Sequence, residues 1–136
     1  MRQLKQWHPN YSVFVKELDN HHKMLIDTLN ELYDAYLNNV HNERVGEIIG
    51  RLFDYAKLHF DTEEKYFEQF GYEEAKAHIA EHAHFLKQIE KFEAEYRDNT
   101  TLVSLQVIDF LHQWFTHHIV NTDRKYVNCF KHGGLK

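Results

Sequence analysis

Twelve of the 136 residues are histidine, far above ordinary usage, and several of them fall where apolar side chains belong. His22, His59, Glu63, His78, His82 and His118 each interrupt an otherwise apolar stripe at helical spacing. Burying imidazoles and a carboxylate without partners is costly, so something must satisfy all six. His59 and Glu63 are four residues apart, as are His78 and His82, so each pair projects its donors toward a common point. Five imidazoles exceed the closed four-ligand shell of one zinc ion. Two metal ions with carboxylates as bridges accommodate them. Glu63 is one bridge, and Asp123, five residues after His118, is the best second one. On a regular helix residues five apart diverge by about 140°, so Asp123 requires the helix to end or loosen around Val120 to Thr122. Taken singly, each piece has a plainer reading. A lone His59–Glu63 pair is an ordinary helix-face interaction, and His22 alone is a satisfied core histidine. The convergence is what points to metal.

The elements that must position these residues are four helices. Pro9 is the only proline, so nothing after it breaks a helix by ring sterics. Residues 1–18 read as an arm with Trp7, Tyr11 and Phe14 as anchors, and Asp19 as the N-cap of the first helix. Leu18, His22, Leu25, Ile26, Leu29, Leu32, Tyr33 and Tyr36 form its stripe, ending in a polar loop of Asn38, Asn39, His41 and Asn42. The second stripe runs Ile49, Leu52, Phe53, Ala56, His59, Phe60, Glu63, Phe67, Phe70, and Gly71 follows as the residue past a helix end. The third starts near Tyr72 and carries Ala75, His78, Ile79, His82, Phe85, Leu86, Ile89, Phe92 and Tyr96. After a turn at Arg97 to Thr100, the fourth starts behind Thr100 or Thr101 with Leu105, Ile108, Leu111, Trp114, Phe115 and His118. The predicted fold is all-α: an antiparallel up-down-up-down four-helix bundle over about 19–122, in a single domain with an N-terminal arm and a tail over 123–136. In that topology the starts of helices one and three share a level with the ends of two and four. All six polar residues then meet at one end of the core.

Composition narrows the function classes. Sixteen Lys and Arg against 21 Asp and Glu leave a net charge of −5, which argues against nucleic acid as a partner. The single cysteine, Cys129, forms no internal disulfide and fits a reducing compartment. No apolar run approaches a membrane span, and the polar N-terminus lacks the apolar stretch of a signal peptide. A cytoplasmic monomer with no membrane insertion is expected. The remaining histidines, His8, His21, His41, His84, His112, His117 and His132, have no clear place in the ring. Cys129 reads as packing or a free thiol of the tail.

The motifs Asp19-Asn20-His21-His22, His59-Phe60-Asp61-Thr62-Glu63-Glu64, Gly71-Tyr72, His78-Ile79-Ala80-Glu81-His82 and Trp114-Phe115-Thr116-His117-His118-Ile119, followed by Asp123, resemble the hemerythrin family, specifically its bacterial single-domain members. The resemblance spans Trp7 to about Phe130. It implies a di-iron centre (Fe2+/Fe3+), one iron on His78, His82 and His118 and the other on His22 and His59 with an open position. Glu63, Asp123 and an oxo or hydroxo group would bridge them. It also implies reversible dioxygen binding at the open position, for transport, storage or delivery to an oxygen-using partner, and no enzymatic activity. Leu25, Phe60, Trp114, Phe115 and Ile119 match the family's oxygen pocket, with Phe115 bulkier than the leucine often found there. His21 stands where the family commonly has glutamine, a departure expected to touch no ligand. The alternatives are an oxygen or redox sensor, or a di-iron redox enzyme acting on peroxide or nitric oxide. No output domain is expected beside the bundle, which disfavours sensing unless a separate partner reads the state. Oxygen-activating bundles, moreover, use mostly carboxylates where this site has five imidazoles.

Overall fold

The computed structural model describes residues 3–38, 41–97 and 103–136. The chain enters through an arm containing one 3-10 turn, Pro9–Tyr11, and then forms α1 (Lys16–Leu37), α2 (His41–Phe70), α3 (Ala75–Arg97) and α4 (Val103–Trp114). From Phe115 to Thr122 the α4 backbone continues as a π-helix, tightens to a 3-10 turn at Asp123–Tyr126, and ends in α5 (Val127–His132). Helix α1 packs on α2 and α4, and α3 packs on α2 and α4, which closes the four-helix bundle.

Several boundaries differ from expectation for local physical reasons. Helix α1 begins at Lys16, so Asp19 lies inside its first turn and is not the N-cap; Val15 holds that position without a side-chain bond. Asp19 ties down the arm instead, accepting from the Val13 N–H and the Ser12 hydroxyl. His41 and Asn42 belong to α2, not to a loop. Asn39 and the turn and caps expected at 98–101 lie outside the described residues. Helix α3 begins three residues after Tyr72, and its stripe is narrower than expected, with Ile79 and Tyr96 exposed. Tyr96 instead covers the α2 backbone, where a Cβ on Gly46 would come within 2.8 Å of its ring. On α4, Leu105 is exposed and Val103, Val107 and Leu111 face the core at four-residue spacing.

Two apolar clusters fill the bundle. The larger runs from Leu32, Val45, Phe92 and Val103 up to Phe60, Phe85, Trp114, Phe115 and Ile119. The smaller, Val13, Val15, Leu18, Phe67, Tyr126 and Phe130, caps one end with help from the arm and α5. Arg124 reinforces that cap by donating to the carbonyls of Asn10 and Ser12. Asn30, buried on α1, holds the arm's outer part, accepting from Leu4 and Lys5 N–H and donating to the Lys5 carbonyl.

The α2–α3 connection decides where α3 starts and therefore where its histidines point. Gly71 adopts φ +64°, and the Tyr72 N–H reaches back to the Phe67 carbonyl, as expected of a helix end closed through a left-handed glycine. Among the described residues, and apart from the adjoining backbone, nothing lies within 4 Å of a Cβ built on Gly71 or on the exposed mid-helix Gly50, so substitution there tests backbone conformation. Gly71→Ala is expected to lower stability by about 1 kcal/mol, and Gly50→Ala to raise it by up to about 1 kcal/mol. Urea unfolding of the two variants checks this, and a stabilising Gly71→Ala would contradict it.

Candidate metal centre

Between the two apolar clusters lies one polar layer. His22 comes from the early part of α1, His59 and Glu63 from the later part of α2, His78 and His82 from the start of α3. The π-helix supplies His118, and Asp123 follows it. All seven are at most 2% exposed. The structure thus brings together the six residues that the periodicity placed at this level, and Asp123 joins them through a change in the helix.

The backbone change that delivers Asp123 is specific. Its N–H bonds to the carbonyl of His118, five residues back, which is the π-helical pattern. The loosening begins at Phe115, earlier than the expected Val120 to Thr122, and the helix widens without ending. One extra residue in the turn carries Asp123 round onto the face of His118.

The two carboxylates each reach in two directions. Asp123 Oδ2 lies 3.1 Å from His22 Nε2, while Oδ1 lies 2.9 Å from His78 Nε2 and 3.0 Å from His118 Nε2. Glu63 Oε2 lies 3.4 Å from His59 Nε2, while Oε1 lies 3.0 Å from His82 Nε2 and 3.4 Å from His78 Nε2. The Nε2 atoms of His22 and His59 are 3.2 Å apart. Two overlapping groups result, Glu63 with His78, His82 and His118, and His22 with His59, Glu63 and Asp123.

These side chains fit metal ions better than one another. The Nε2 atoms of His78 and His118 and both Asp123 oxygens are buried and make no hydrogen bond, although opposite charges stand about 3 Å away. Buried polar atoms left this way are rare and call for an explanation. Ligand atoms about 2.1 Å from one ion at right angles are about 3.0 Å apart, the spacing seen here. Left to themselves, the groups balance charge by protonation. Burial raises the Asp123 and Glu63 carboxyls, yet the surrounding imidazoles outweigh it and hold both well below the usual range. Burial lowers His78 and His118, yet Asp123 and Glu63 lift His78 to about 9, and Asp123, Glu81 and Glu63 lift His118 to about 10. Burial wins at His59, pushed down to about 4. Cations bound in the layer displace such protons.

Aromatic rings set the imidazole planes. Phe60 stacks on His82 and Trp114 on His118, each at 3.9 Å between ring centres, and Tyr55 lies parallel to His59 at 5.4 Å. Leu25, Phe115 and Ile119 belong to the same buried cluster, and Tyr11 of the arm meets Phe115 edge-on. Outer partners hold the far ring nitrogens: Glu64 faces His82 Nδ1 at 2.9 Å and Glu81 faces His118 Nδ1 at 2.8 Å. His21, expected to have no place in the ring and to touch no ligand candidate, is buried with its Nδ1 2.9 Å from His59 Nδ1. Its neighbour His22 already occupied the inward-facing position in the periodicity, which hid a contact made sideways to α2. Glu64 and Glu81 carried no sequence signal beyond being acidic residues beside or near a ligand candidate.

Residues 13–130 match the family model described as the hemerythrin HHE cation binding domain. The chain belongs to the hemerythrin family. It is a non-haem di-iron protein that binds dioxygen. Among hemerythrin relatives it is 29% identical over 126 residues to a bacteriohemerythrin of Clostridium acetobutylicum, covering 90% of this chain and 98% of that one. A bacteriohemerythrin of Pseudomonas aeruginosa is also 29% identical, with 93% and 81% covered. A crystal structure of wild-type hemerythrin superposes with a TM-score of 0.83 at 26% identity, over 93% of this chain and 97% of that one. Among the described residues no helix is long and apolar enough to cross a membrane.

A polar layer built for cations leaves the bundle poorly satisfied when they are stripped. Removing iron with a chelator is expected to lower the thermal midpoint by about 10 °C or more, and restoring it to recover the loss. Equal midpoints by calorimetry would show that the layer is stable without metal.

Proposed function

We propose that this chain is a reversible dioxygen carrier and not an enzyme, acting as a cytoplasmic monomer that delivers oxygen to an oxygen-using partner. The observation that carries the reading is the make-up of the buried layer, five neutral-capable imidazoles and only two carboxylates. In this reading His78, His82 and His118 would hold one iron and His22 and His59 the other, with Glu63 and Asp123 within reach of both groups. With Asp123 reaching the first group as well, the second has one donor fewer, which would leave a position for a small ligand on that side. Two Fe(II) ions held there would supply the electrons that reversible dioxygen binding exchanges.

The protein's own part is to position, to tune and to keep dry. Imidazoles add no negative charge, so the layer favours the lower oxidation state more than the carboxylate-rich sites of oxygen-activating bundles do. Leu25, Phe60, Trp114, Phe115 and Ile119 form the apolar wall, and every one is buried. Excluding water there removes the proton source that would make binding irreversible. Phe60 and Trp114 serve twice, because they also press His82 and His118 into their ring planes.

Optical spectra test the proposal. Protein loaded with Fe(II) without oxygen should start nearly colourless, gain charge-transfer bands in air and lose them on degassing. Bands that never reverse would contradict a carrier. In the same measurement His59→Ala should fail to form the reversible bands, and an unaltered oxygen complex in that variant would show the ligand set to be wrong.

A further inference from the structure

The outer partners of the five imidazoles are unequal. On the His78, His82 and His118 side, two ligand candidates are backed by carboxylates: His82 by Glu64 at 2.9 Å and His118 by Glu81 at 2.8 Å. Glu81 is itself held by the Thr122 hydroxyl, 3.1 Å away on the π-helix. His78 Nδ1 is buried with no hydrogen-bond partner, and among the described residues no carboxylate plays this part on the His22 and His59 side. His22 Nδ1 is buried with no hydrogen-bond partner, and His59 Nδ1 meets only the Nδ1 of His21.

Proton bookkeeping gives that contact a direction. An imidazole that offers Nε2 to a metal carries its hydrogen on Nδ1. With His59 Nε2 turned to the polar layer, His59 Nδ1 therefore donates and His21 Nδ1 accepts. His21 must then be the tautomer with its hydrogen on Nε2. An accepting imidazole orients its partner as a carboxylate does but carries no charge, so it raises the ligand's basicity less.

We propose that His21 is a positioning residue for His59, and that its neutral acceptor makes the His22–His59 iron the more weakly held of the two. The proposal rests on the di-iron reading above. The consequence is ordered exchange: the iron on the side with room for a ligand leaves first, while the carboxylate-backed side retains its own. Glu63 and Asp123 reach both sides and so cannot create this difference. The smaller number of imidazoles and the uncharged outer partner both weaken the His22–His59 side, and a change at His21 alters only the second.

Timed release of iron to a water-soluble Fe(II) chelator, without oxygen, reads the proposal directly. Wild-type protein should start with two irons per chain and release them in two phases of one iron each. His21→Leu keeps bulk but loses the acceptor, and should speed the fast phase about tenfold or more while leaving the slow phase unchanged. His21→Gln, whose amide oxygen accepts, should restore the wild-type fast phase, and His21→Glu should slow it. Release in a single phase, an unchanged fast phase in His21→Leu, or equal acceleration of both phases would overturn the proposal. Should His21→Leu not fold, the comparison of Glu with Gln still decides, since equal rates contradict the assignment. Wild-type protein holding fewer than two irons at the outset would count against the di-iron reading, separately from His21.

Discussion

Two carboxylates, Glu63 and Asp123, are ionised and wholly buried in the middle of a small helical bundle, and every other feature of the molecule answers to that fact. A buried charge is tolerated only when matched by opposite charge and by well-directed partners. Five imidazoles surround the pair, yet the geometry leaves Asp123 without a hydrogen bond on either oxygen. Positive charge placed between the nitrogens and oxygens resolves the mismatch, because each atom already stands at the spacing of ligands on a shared ion. The metal and the fold are therefore one problem, and the layer that binds cations is also the layer that the bundle needs filled.

The backbone accommodates this demand in two places. At the α2–α3 turn, Gly71 takes a left-handed conformation that ends α2 sharply and lets α3 start in time to place His78 and His82 beside Glu63. In the last helix the π-helical stretch from Phe115 to Thr122 adds a residue to the turn, bringing Asp123 over His118. Such widening gives up regular α-helical bonding and persists where a site requires it. Above and below the layer the constraints are ordinary. The long cluster of Leu, Ile, Val and Phe drives helix association on one side. The smaller cluster of Leu18, Phe67, Tyr126 and Phe130 seals the other with the arm across it.

Much of this was legible in the sequence because helices impose a strict period and the site breaks it. An apolar stripe interrupted by His59 and Glu63, or by His78 and His82, advertises both a helix and a polar demand in its core. Antiparallel topology then turns four separate interruptions into one layer. What depends on departures from that period was harder to read. Asp123 could be anticipated only as a residue needing a loosened helix, and the length of the π-helical stretch has no residue signature. Asp19 has the chemistry of an N-cap, but the arm supplied it with better donors in Val13 and Ser12, and the helix begins four residues earlier. Ile79 and Leu105 look like core by type, yet the faces they occupy remain in solvent. The second ring of partners was the least legible. Glu64 and Glu81 resemble any exposed helical glutamate, and His21 is separated from His59 by 38 positions and joined to it only by the packing of α1 on α2.

In the proposed centre Glu63 and Asp123 are shared between two metal ions. Anomalous diffraction from iron-loaded crystals at the iron absorption edge tests it most directly. Two peaks about 3.5 Å apart are expected, each within coordinating distance of one oxygen of Glu63 and one of Asp123. One peak alone, or two peaks that do not share both carboxylates, would contradict it.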